Sequence, residues 1–131
     1  IKQMKIFGVG TDIVRVSRIK NSLKNKLFLT RIYNNDEVIK CKKNKNNTNC
    51  FAKRFAAKEA FVKSIGMGFR NGINFYDISI KKKSSGEPTI SVSNNIKQLI
   101  KKKFKINNFK IFLSLSDEDK YSIAFVIIKK K

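Results

Sequence analysis

The sequence predicts one α+β domain with a largely antiparallel sheet, and three observations support this prediction. Segments with strand-like and helix-like hydrophobic periodicity alternate along the chain in the order β-α-α-β-β-α-β-β. Two pairs of strand-like segments are joined by short polar turns, which favours antiparallel hairpins. The 131 residues, 41% of them hydrophobic, suffice for one core, so we expect a single domain over residues 1–131.

The first part of the chain predicts one strand followed by helices. The segment Lys5–Val9 is typical of a short strand, and it enters a turn bounded by Gly8 and Gly10. Apolar residues at four-residue spacing follow, which predicts an amphipathic helix with Ser17 as its N-cap. Residues 40–49 are polar and basic, and they are interpreted as a helix end and an exposed loop.

The strongest helical pattern covers Cys50–Ile65. Asn49 can cap this helix, alanines and lysines favour it, and Gly66 and Gly68 end it. The remaining chain alternates between strands and one further helix with Asn94 or Asn95 as its cap. The predicted strands are 73–80, 89–93, 111–116 and 121–128.

Composition excludes several kinds of active site. The chain has no His, which excludes Ser-His-Asp and Cys-His catalysis and zinc held by histidine. Its two cysteines, Cys41 and Cys50, cannot form a Cys-only zinc site and lack CxxC spacing, so we expect a reduced compartment without a disulfide framework. No run approaches the roughly 20 apolar residues of a membrane span, so no membrane partner is expected. Chemistry must therefore come from carboxylates, Lys, Arg, hydroxyls, backbone groups or an oxygen-ligated metal.

The net charge of +21, from 30 Lys and Arg against 9 Asp and Glu, leaves two interpretations open. Heavy use of Lys, Asn and Ile is typical of AT-rich coding sequences, so part of the charge reflects codon bias. The charge also suits anionic partners. A nucleic-acid-binding domain is the rival class, since 11 Phe and 3 Tyr lie among basic residues, but the RRM signature is absent and no specific nucleic acid is expected.

Two acids are candidates for chemistry. Glu59 lies at the edge of the apolar face of the strong helix, among small alanines that allow close approach, and Lys63 is one turn later. Asp12 is flanked by apolar residues at the end of a strand and needs a cation or hydrogen-bond donors. The alternatives without a chemical role are a surface ion pair between Glu59 and Lys63, and a helix cap formed by Asp12. A purely structural interaction domain leaves both acids unexplained, whereas a carboxylate pair suits Mg²⁺ with substrate phosphates.

Three segments give the chain a resemblance to a known family. They are Gly8–Val14 (GVGTDIV), Arg54–Lys63 (RFAAKEAFVK) with the glycines that follow it, and Gly86–Pro88 (GEP). With these motifs the chain resembles the small 4′-phosphopantetheinyl transferases, the holo-acyl-carrier-protein synthases, almost end to end. The resemblance implies an antiparallel sheet packed with a long central helix, and a homotrimer whose active sites lie between neighbouring chains.

The resemblance also implies a reaction. The phosphopantetheine arm of coenzyme A moves to a serine of an apo acyl carrier protein, adenosine 3′,5′-bisphosphate leaves, and type II fatty acid synthesis receives the holo carrier. Asp12 and Glu59 bind Mg²⁺ by this match, while Glu59 and Lys63 are the catalytic residues and Lys63 contacts phosphate. The base that accepts the serine proton stays open between a metal-oriented water and Glu59, and Glu37 also lies at a family-like position.

Further roles follow from the same match. Residues expected to contact coenzyme A are Arg54, Lys58, Lys63, Gly66, Gly68 and Pro88. Arg18 is expected to dock the acidic carrier protein. Phe112 departs from the family pattern, because many members have His there. The AT-rich bias and bacterial-type motifs suggest the stroma of a plastid, the apicoplast, with the cytoplasm of an AT-rich bacterium as the alternative.

Overall fold

Helices and two separate antiparallel sheets make up residues 4–66 and 72–131, the part of the chain that the computed structural model describes. The elements are β1 (Ile6–Arg15), α1 (Val16–Ser22), α2 (Lys26–Ile32), α3 (Asn35–Lys43), α4 (Asn47–Ile65), a 3₁₀ helix (Phe75–Asp77), β2 (Ile78–Lys82), β3 (Pro88–Val92), α5 (Asn94–Phe104), β4 (Phe109–Asp117) and β5 (Tyr121–Lys130). The predicted α+β class and the predominance of antiparallel pairing are confirmed.

The larger sheet has the strand order β1-β5-β4, and β2 pairs with β3 in a separate hairpin. In the larger sheet Asp12 lies opposite Ala124 and Ile13 lies opposite Ile123. The predicted hairpin between the last two strands is present, and the amide of Glu118 donates to the carbonyl of Tyr121 at 2.9 Å to close it. This register fixes which residues of β1 face the helix.

Helix α4 is the centre of the core. It packs against both β1 and β5, and 14 of its 19 residues are buried. Ala52, Ala56 and Ala60 are completely buried, so the helix backbone approaches its neighbours closely. The long central helix expected from the sequence is therefore confirmed, although it begins earlier than Cys50, with Asn46 as its cap.

The N-terminal elements differ from the prediction in three ways. Strand β1 runs to Arg15, so Gly8 and Gly10 lie inside the strand and form no turn. Helix α1 begins at Val16 without a side-chain cap, so Ser17 is not its N-cap. The single helix predicted there is broken into α1 and α2. The chain then starts α3 with a capping box, in which Asn34 and Glu37 bond each other's backbone amides.

The two cysteines form a disulfide, which corrects the expectation of two free thiols. Cys41 near the end of α3 and Cys50 in the first turns of α4 have Cα atoms 5.4 Å apart. The short connection between the two helices turns the chain back, so cysteines 9 residues apart in sequence meet in the core. The segment around residues 42–49, interpreted as an exposed loop, is thus closed by a covalent link and partly helical.

The outer face of the larger sheet is apolar and is not covered by its own chain in the described residues. Val9 and Ile13 of β1, Ile123 and Phe125 of β5, and Phe112 of β4 are each 40–60% exposed. The cross-strand pairs Thr11–Phe125 and Ile13–Ile123 place these side chains on one continuous surface, here called the outer sheet face. No helix within residues 4–66 and 72–131 is long and apolar enough to cross a bilayer.

Candidate active site

Strand β1 and helix α4 touch through their backbones. A Cβ atom at Gly8 would lie 1.8 Å from the carbonyl oxygen of Ser64, and one at Gly10 would lie 1.9 Å from that of Ala60. No side chain fits at either glycine, because real Cβ atoms never approach so closely. The glycine pair therefore serves close strand–helix packing, and it places the residues after Gly10 beside the middle of α4.

Asp12 follows Gly10 by two residues and meets Lys63 of the helix. The Lys63 Nζ atom lies 3.1 Å from Asp12 Oδ1 and also donates to the carbonyl oxygen of Thr11 at 3.1 Å. The side chain of Asp12 is 15% exposed, and that of Lys63 is 55% exposed. Asp12 therefore lies within a strand and pairs with a cation. This excludes the helix-cap alternative.

Glu59 lies one turn before Lys63 on α4, near enough to Asp12 for the charge of Asp12 to act on it, and the two acids are here called the acid pair. Burial raises the pKa of Glu59, and the charge of Asp12 raises it further, while Lys63 and Arg18 lower it. Burial likewise raises the pKa of Asp12 against the lowering by Lys63 and Arg18. Two acids from different elements therefore share one electrostatic environment.

Arg18 completes this cluster from helix α1. Its guanidinium carbon lies 5.8 Å from the ring centroid of Phe55, and its charge acts on both members of the acid pair. The side chain is otherwise exposed, so it faces both the acid pair and solvent. The structure thus brings together four of the predicted site residues: Asp12, Arg18, Glu59 and Lys63.

The acid pair suits a hard divalent cation. Mg²⁺ prefers oxygen ligands and is usually held by one or two carboxylates, with waters and substrate phosphates at its other positions. Within the described residues, no group of three or more acids, histidines or cysteines is arranged to hold a metal ion, so the acid pair is the candidate set of protein ligands. Glu59 is half-buried and the Asp12 side chain keeps 15% of its surface exposed, so water and phosphate oxygens can still reach the pair.

Lys58 does not belong to this cluster, which corrects its expected contact with the cofactor. Its ammonium is completely buried and donates to Glu37 Oε1 at 2.6 Å, to the carbonyl of Ile32 at 2.6 Å and to that of Phe75 at 3.1 Å. These three bonds use all three N–H groups. Glu37 in turn accepts from the amides of Asn34 and Ile80, so both of its oxygens are engaged in bonds that hold the fold.

Arg54 lies elsewhere on α4. It is nine residues before Lys63, roughly 180° around the helix, and it is buried. Its Nη1 donates to the carbonyl and the sulfur of Cys50, while its Nε has no partner among the described residues. It lines a cavity of about 260 Å³ whose four cations, with Lys40, Lys81 and Lys82, outnumber its two acids, Asp36 and Glu37; it is here called the basic cavity.

Of the glycines and the proline expected to contact coenzyme A, Gly66 lies close to Lys63 in sequence, and Pro88 lies near the basic cavity. Gly66 ends α4 in a left-handed conformation with φ 64°, three residues after Lys63. Lys103 of α5 donates to the neighbouring carbonyl of Ile65. Pro88 begins β3 opposite Lys82, which lines the basic cavity. Gly68 lies outside the described residues.

Sequence reasoning missed the disulfide and the basic cavity. The cavity combines Lys40 of α3, Arg54 of α4 and two lysines of β2, and no local pattern joins such distant segments. The Asn34–Glu37 spacing, however, is a capping-box signal that marks the start of α3 and could have located Glu37 at a helix start.

Comparisons with known proteins give the same family for most of the chain. Residues 8–126 match the model of the 4′-phosphopantetheinyl transferase superfamily. A holo-[acyl-carrier-protein] synthase of Pelagibacter ubique is 50% identical over 128 residues, which cover 98% of this chain and 100% of that protein. The crystal structure of the holo-[acyl-carrier-protein] synthase from Neisseria meningitidis matches with a TM-score of 0.84 at 34% identity, covering 96% of this chain and 100% of that one.

A third similar protein has been solved with a ligand. The holo-(acyl-carrier-protein) synthase from Bacillus anthracis, in complex with CoA (3′,5′-ADP), matches with a TM-score of 0.78 at 29% identity. The match covers 98% of this chain and 100% of that chain. The backbone arrangement described above is therefore shared with a coenzyme A-binding protein.

Proposed function

The chain belongs to the 4′-phosphopantetheinyl transferase superfamily, and within it to the holo-[acyl-carrier-protein] synthases, and on this premise we propose its reaction in detail. The enzyme transfers the 4′-phosphopantetheine arm of coenzyme A to a serine hydroxyl of an apo acyl carrier protein. The observation that carries the proposal is the Asp12–Lys63 contact beside Glu59, which assembles two acids and a cation at the motifs of this family.

Magnesium dependence follows from the acid pair. Asp12 and Glu59 present half-buried carboxylate oxygens from two elements that backbone contact holds together. When bound there, Mg²⁺ would neutralise charge on the diphosphate oxygens of coenzyme A. Burial already raises the pKa of both acids, so their charge is best compensated when a cation is present.

The chain's own cations assist the bond exchange. The serine oxygen forms a bond to the phosphorus next to pantetheine, and the bridging P–O bond breaks, so that adenosine 3′,5′-bisphosphate leaves. Lys63 is the flexible cation nearest the acid pair, and it stabilises the negative charge that develops on the leaving phosphate. Arg18, exposed beside the same cluster, meets the acidic carrier protein as it delivers its serine.

The proton of the serine hydroxyl goes to Glu59 or to a water held by the acid pair. In the metal-free protein, burial and the neighbouring Asp12 charge raise the pKa of Glu59, whereas a cation bound to Glu59 would lower it and so favour the water as the proton acceptor. Glu37 is not a base in this scheme, because Lys58 and two backbone amides occupy its oxygens.

A complete site is proposed to need two chains. Arg54 lines the basic cavity and Pro88 lies opposite its lining residue Lys82, whereas the acid pair lies on another side of α4. The outer sheet face offers an apolar surface for a second copy of the chain. In the homotrimer implied by the resemblance, the acid pair of one chain would face the basic cavity of its neighbour, and Arg54 would meet a cofactor phosphate.

The cellular setting is proposed from the same relatives. The Pelagibacter ubique protein supports the bacterial cytoplasm, the alternative named above, more than a plastid. The holo carrier would there serve type II fatty acid synthesis. Sequencing the DNA that flanks the gene decides between the two settings, since flanking bacterial chromosomal genes exclude a plastid.

Intact-mass spectrometry of an apo acyl carrier protein tests the reaction. Incubation with the protein, coenzyme A and Mg²⁺ should add one phosphopantetheine arm to the carrier, and EDTA should prevent the addition. Glu59→Gln should abolish transfer, whereas Glu118→Gln, an exposed acid in the β4–β5 hairpin, should leave it unchanged. Transfer at the normal rate by the Glu59→Gln protein would overturn the site assignment.

A further inference from the structure

Lys63 forms an ion pair with Asp12, one of the two carboxylates at which the proposed metal would bind. Its Nζ atom lies 3.1 Å from Asp12 Oδ1, and a second bond to the carbonyl of Thr11 holds it there. Asp12 is mostly shielded from solvent, so only a limited number of ligands reach its oxygens. An ammonium at this place therefore competes with any other cation for the same oxygen.

The electrostatics of the cluster show why Lys63 is bound there. Burial opposes the ionisation of both carboxylates, and the charge of Asp12 further opposes that of Glu59. Lys63 and Arg18 both lower the pKa of the two acids, and the effect of Lys63 is the larger. It is therefore the main internal counter-charge of the acid pair in the metal-free protein.

A divalent cation would make this counter-charge unfavourable, because it would place two further positive charges beside the ammonium. Lys63 can leave without a change of backbone. More than half of its side chain is exposed, and it sits in the last turn of α4 on a flexible four-carbon stem. The departing ammonium then needs a new anionic partner, and a substrate diphosphate beside the metal provides one.

We propose that Lys63 and the divalent metal compete for Asp12 in the free protein, and that a diphosphate-bearing substrate relieves the competition by taking Lys63 as its own contact. Metal and substrate therefore bind with positive cooperativity, and Lys63 is one physical link between them. By thermodynamic reciprocity, the metal strengthens substrate binding by the same factor. This inference rests on the proposed function, since it takes the acid pair as the metal site.

Binding of Mn²⁺, followed by electron paramagnetic resonance of the free ion, tests the proposal without turnover. The titration uses the full chain, without carrier protein, in the absence and presence of coenzyme A. Lys63→Met should bind Mn²⁺ at least about fivefold more tightly than the unaltered protein when coenzyme A is absent. Coenzyme A should raise the Mn²⁺ affinity of the unaltered protein by a larger factor than that of Lys63→Met.

Lys83→Met is the matched control. Lys83 is 56% exposed and pairs with Glu87 in the β2–β3 turn, so its loss removes one charge of similar exposure outside the cluster. Its Mn²⁺ affinity should equal that of the unaltered protein. An equal rise in both lysine variants would show only an effect of net charge and would overturn the proposal.

Asp12→Asn separates the two possible failures. If the unaltered protein binds Mn²⁺ and Asp12→Asn does not, the metal site stands, and an unchanged affinity in Lys63→Met overturns only the competition. If neither the unaltered protein nor Lys63→Met binds Mn²⁺, with or without coenzyme A, the metal site and the competition both fail. Binding by Lys63→Met alone in the absence of coenzyme A is the strongest form of support.

Discussion

The Nζ atom of Lys58 lies 2.6 Å from Oε1 of Glu37, and both side chains are almost completely shielded from solvent. Lys58 also donates to the carbonyls of Ile32 and Phe75, while Glu37 accepts from the amide of Ile80. The pair thereby links the ends of α2 and of the 3₁₀ helix to α3, α4 and β2. A buried pair of this kind is costly to break from one side, because the partner stays charged in the core.

Lys58→Met should lower the free energy of unfolding by about 3–5 kcal/mol, because Glu37 loses its counter-charge. Urea titration followed by circular dichroism measures the change. The double variant Lys58→Met/Glu37→Leu should recover part of the loss. Lys53→Met is the control: its 3.8 Å pair with Asp117 is partly exposed, so its loss should cost less than about 1 kcal/mol. Equal costs for the two lysines would contradict the structural role of Lys58.

Gly10→Ala should destabilise the protein and impair transfer together. The added Cβ would meet the Ala60 carbonyl, so β1 must shift away from α4 and carry Asp12 with it. Overpacking typically costs about 1–3 kcal/mol, and a backbone contact places this site at the upper end. Thermal unfolding and carrier modification measure both effects. Gly86→Asn, where nothing lies within 4 Å, should retain normal transfer.

Reduction of the Cys41–Cys50 bond should lower the free energy of unfolding. The link closes a short loop between α3 and α4, and loss of a link of this size costs about 2–3 kcal/mol in the chain-entropy description. Urea titrations with and without a dithiol reductant measure the difference. The double variant Cys41→Ala/Cys50→Ala should not respond to the reductant. Two titratable thiols in freshly denatured protein, prepared without reductant, would rule out the bond.

Glu59→Gln should raise the free energy of unfolding in EDTA at neutral pH, by about 1 kcal/mol or less. The folded pKa of Glu59 lies above its ordinary value of 4.5, so the folded state binds its proton more tightly than the unfolded state. Stability of the unaltered protein therefore falls as pH rises from 4.5 through the raised pKa. The gain from Glu59→Gln should disappear as pH is lowered to 4.5, whereas a gain independent of pH would contradict this cause.

Phe125→Lys should dissociate the proposed trimer, because it places a charge in the middle of the outer sheet face. Sedimentation should show a monomer, and carrier modification should fall, while Mn²⁺ binding by the acid pair within one chain persists. Ile39→Lys, at an exposed apolar position on α3 outside the outer sheet face, should leave the oligomeric state unchanged. An unaltered sedimentation coefficient for Phe125→Lys would remove the outer sheet face as the contact.

The sequence predicted those parts of the site that depend on local periodicity. Glu59 and Lys63 are one helical turn apart, so the helix pattern alone places them on one side of α4. Asp12 joins them across 51 residues, and the family resemblance, not any spacing rule, supplied that association. Its physical cause, the backbone contact at Gly8 and Gly10, was interpreted from sequence as a turn.

The wrong predictions for Lys58 and for the two cysteines have one cause: the partner of each side chain lies on another helix. Lys58 follows Arg54 by one helical turn and was assigned to the cofactor with it, but its partner Glu37 lies 21 residues earlier on another helix. No disulfide was expected for Cys41 and Cys50 because they lack CxxC spacing, but the ends of α3 and α4 bring them together in the fold. A helix boundary decides which side chains can meet, and boundaries are the least certain part of a reading from periodicity.

The contact of Gly8 and Gly10 with α4 also sets how the protein fluctuates. With no side chains between strand and helix, neither can slide without breaking the other's packing, so they open together or not at all. Backbone amides of β1 and α4 should then exchange with deuterium only through global unfolding, and more slowly than those of the β2–β3 hairpin. The positions of Asp12 and Glu59 relative to each other should consequently change only when the whole protein unfolds.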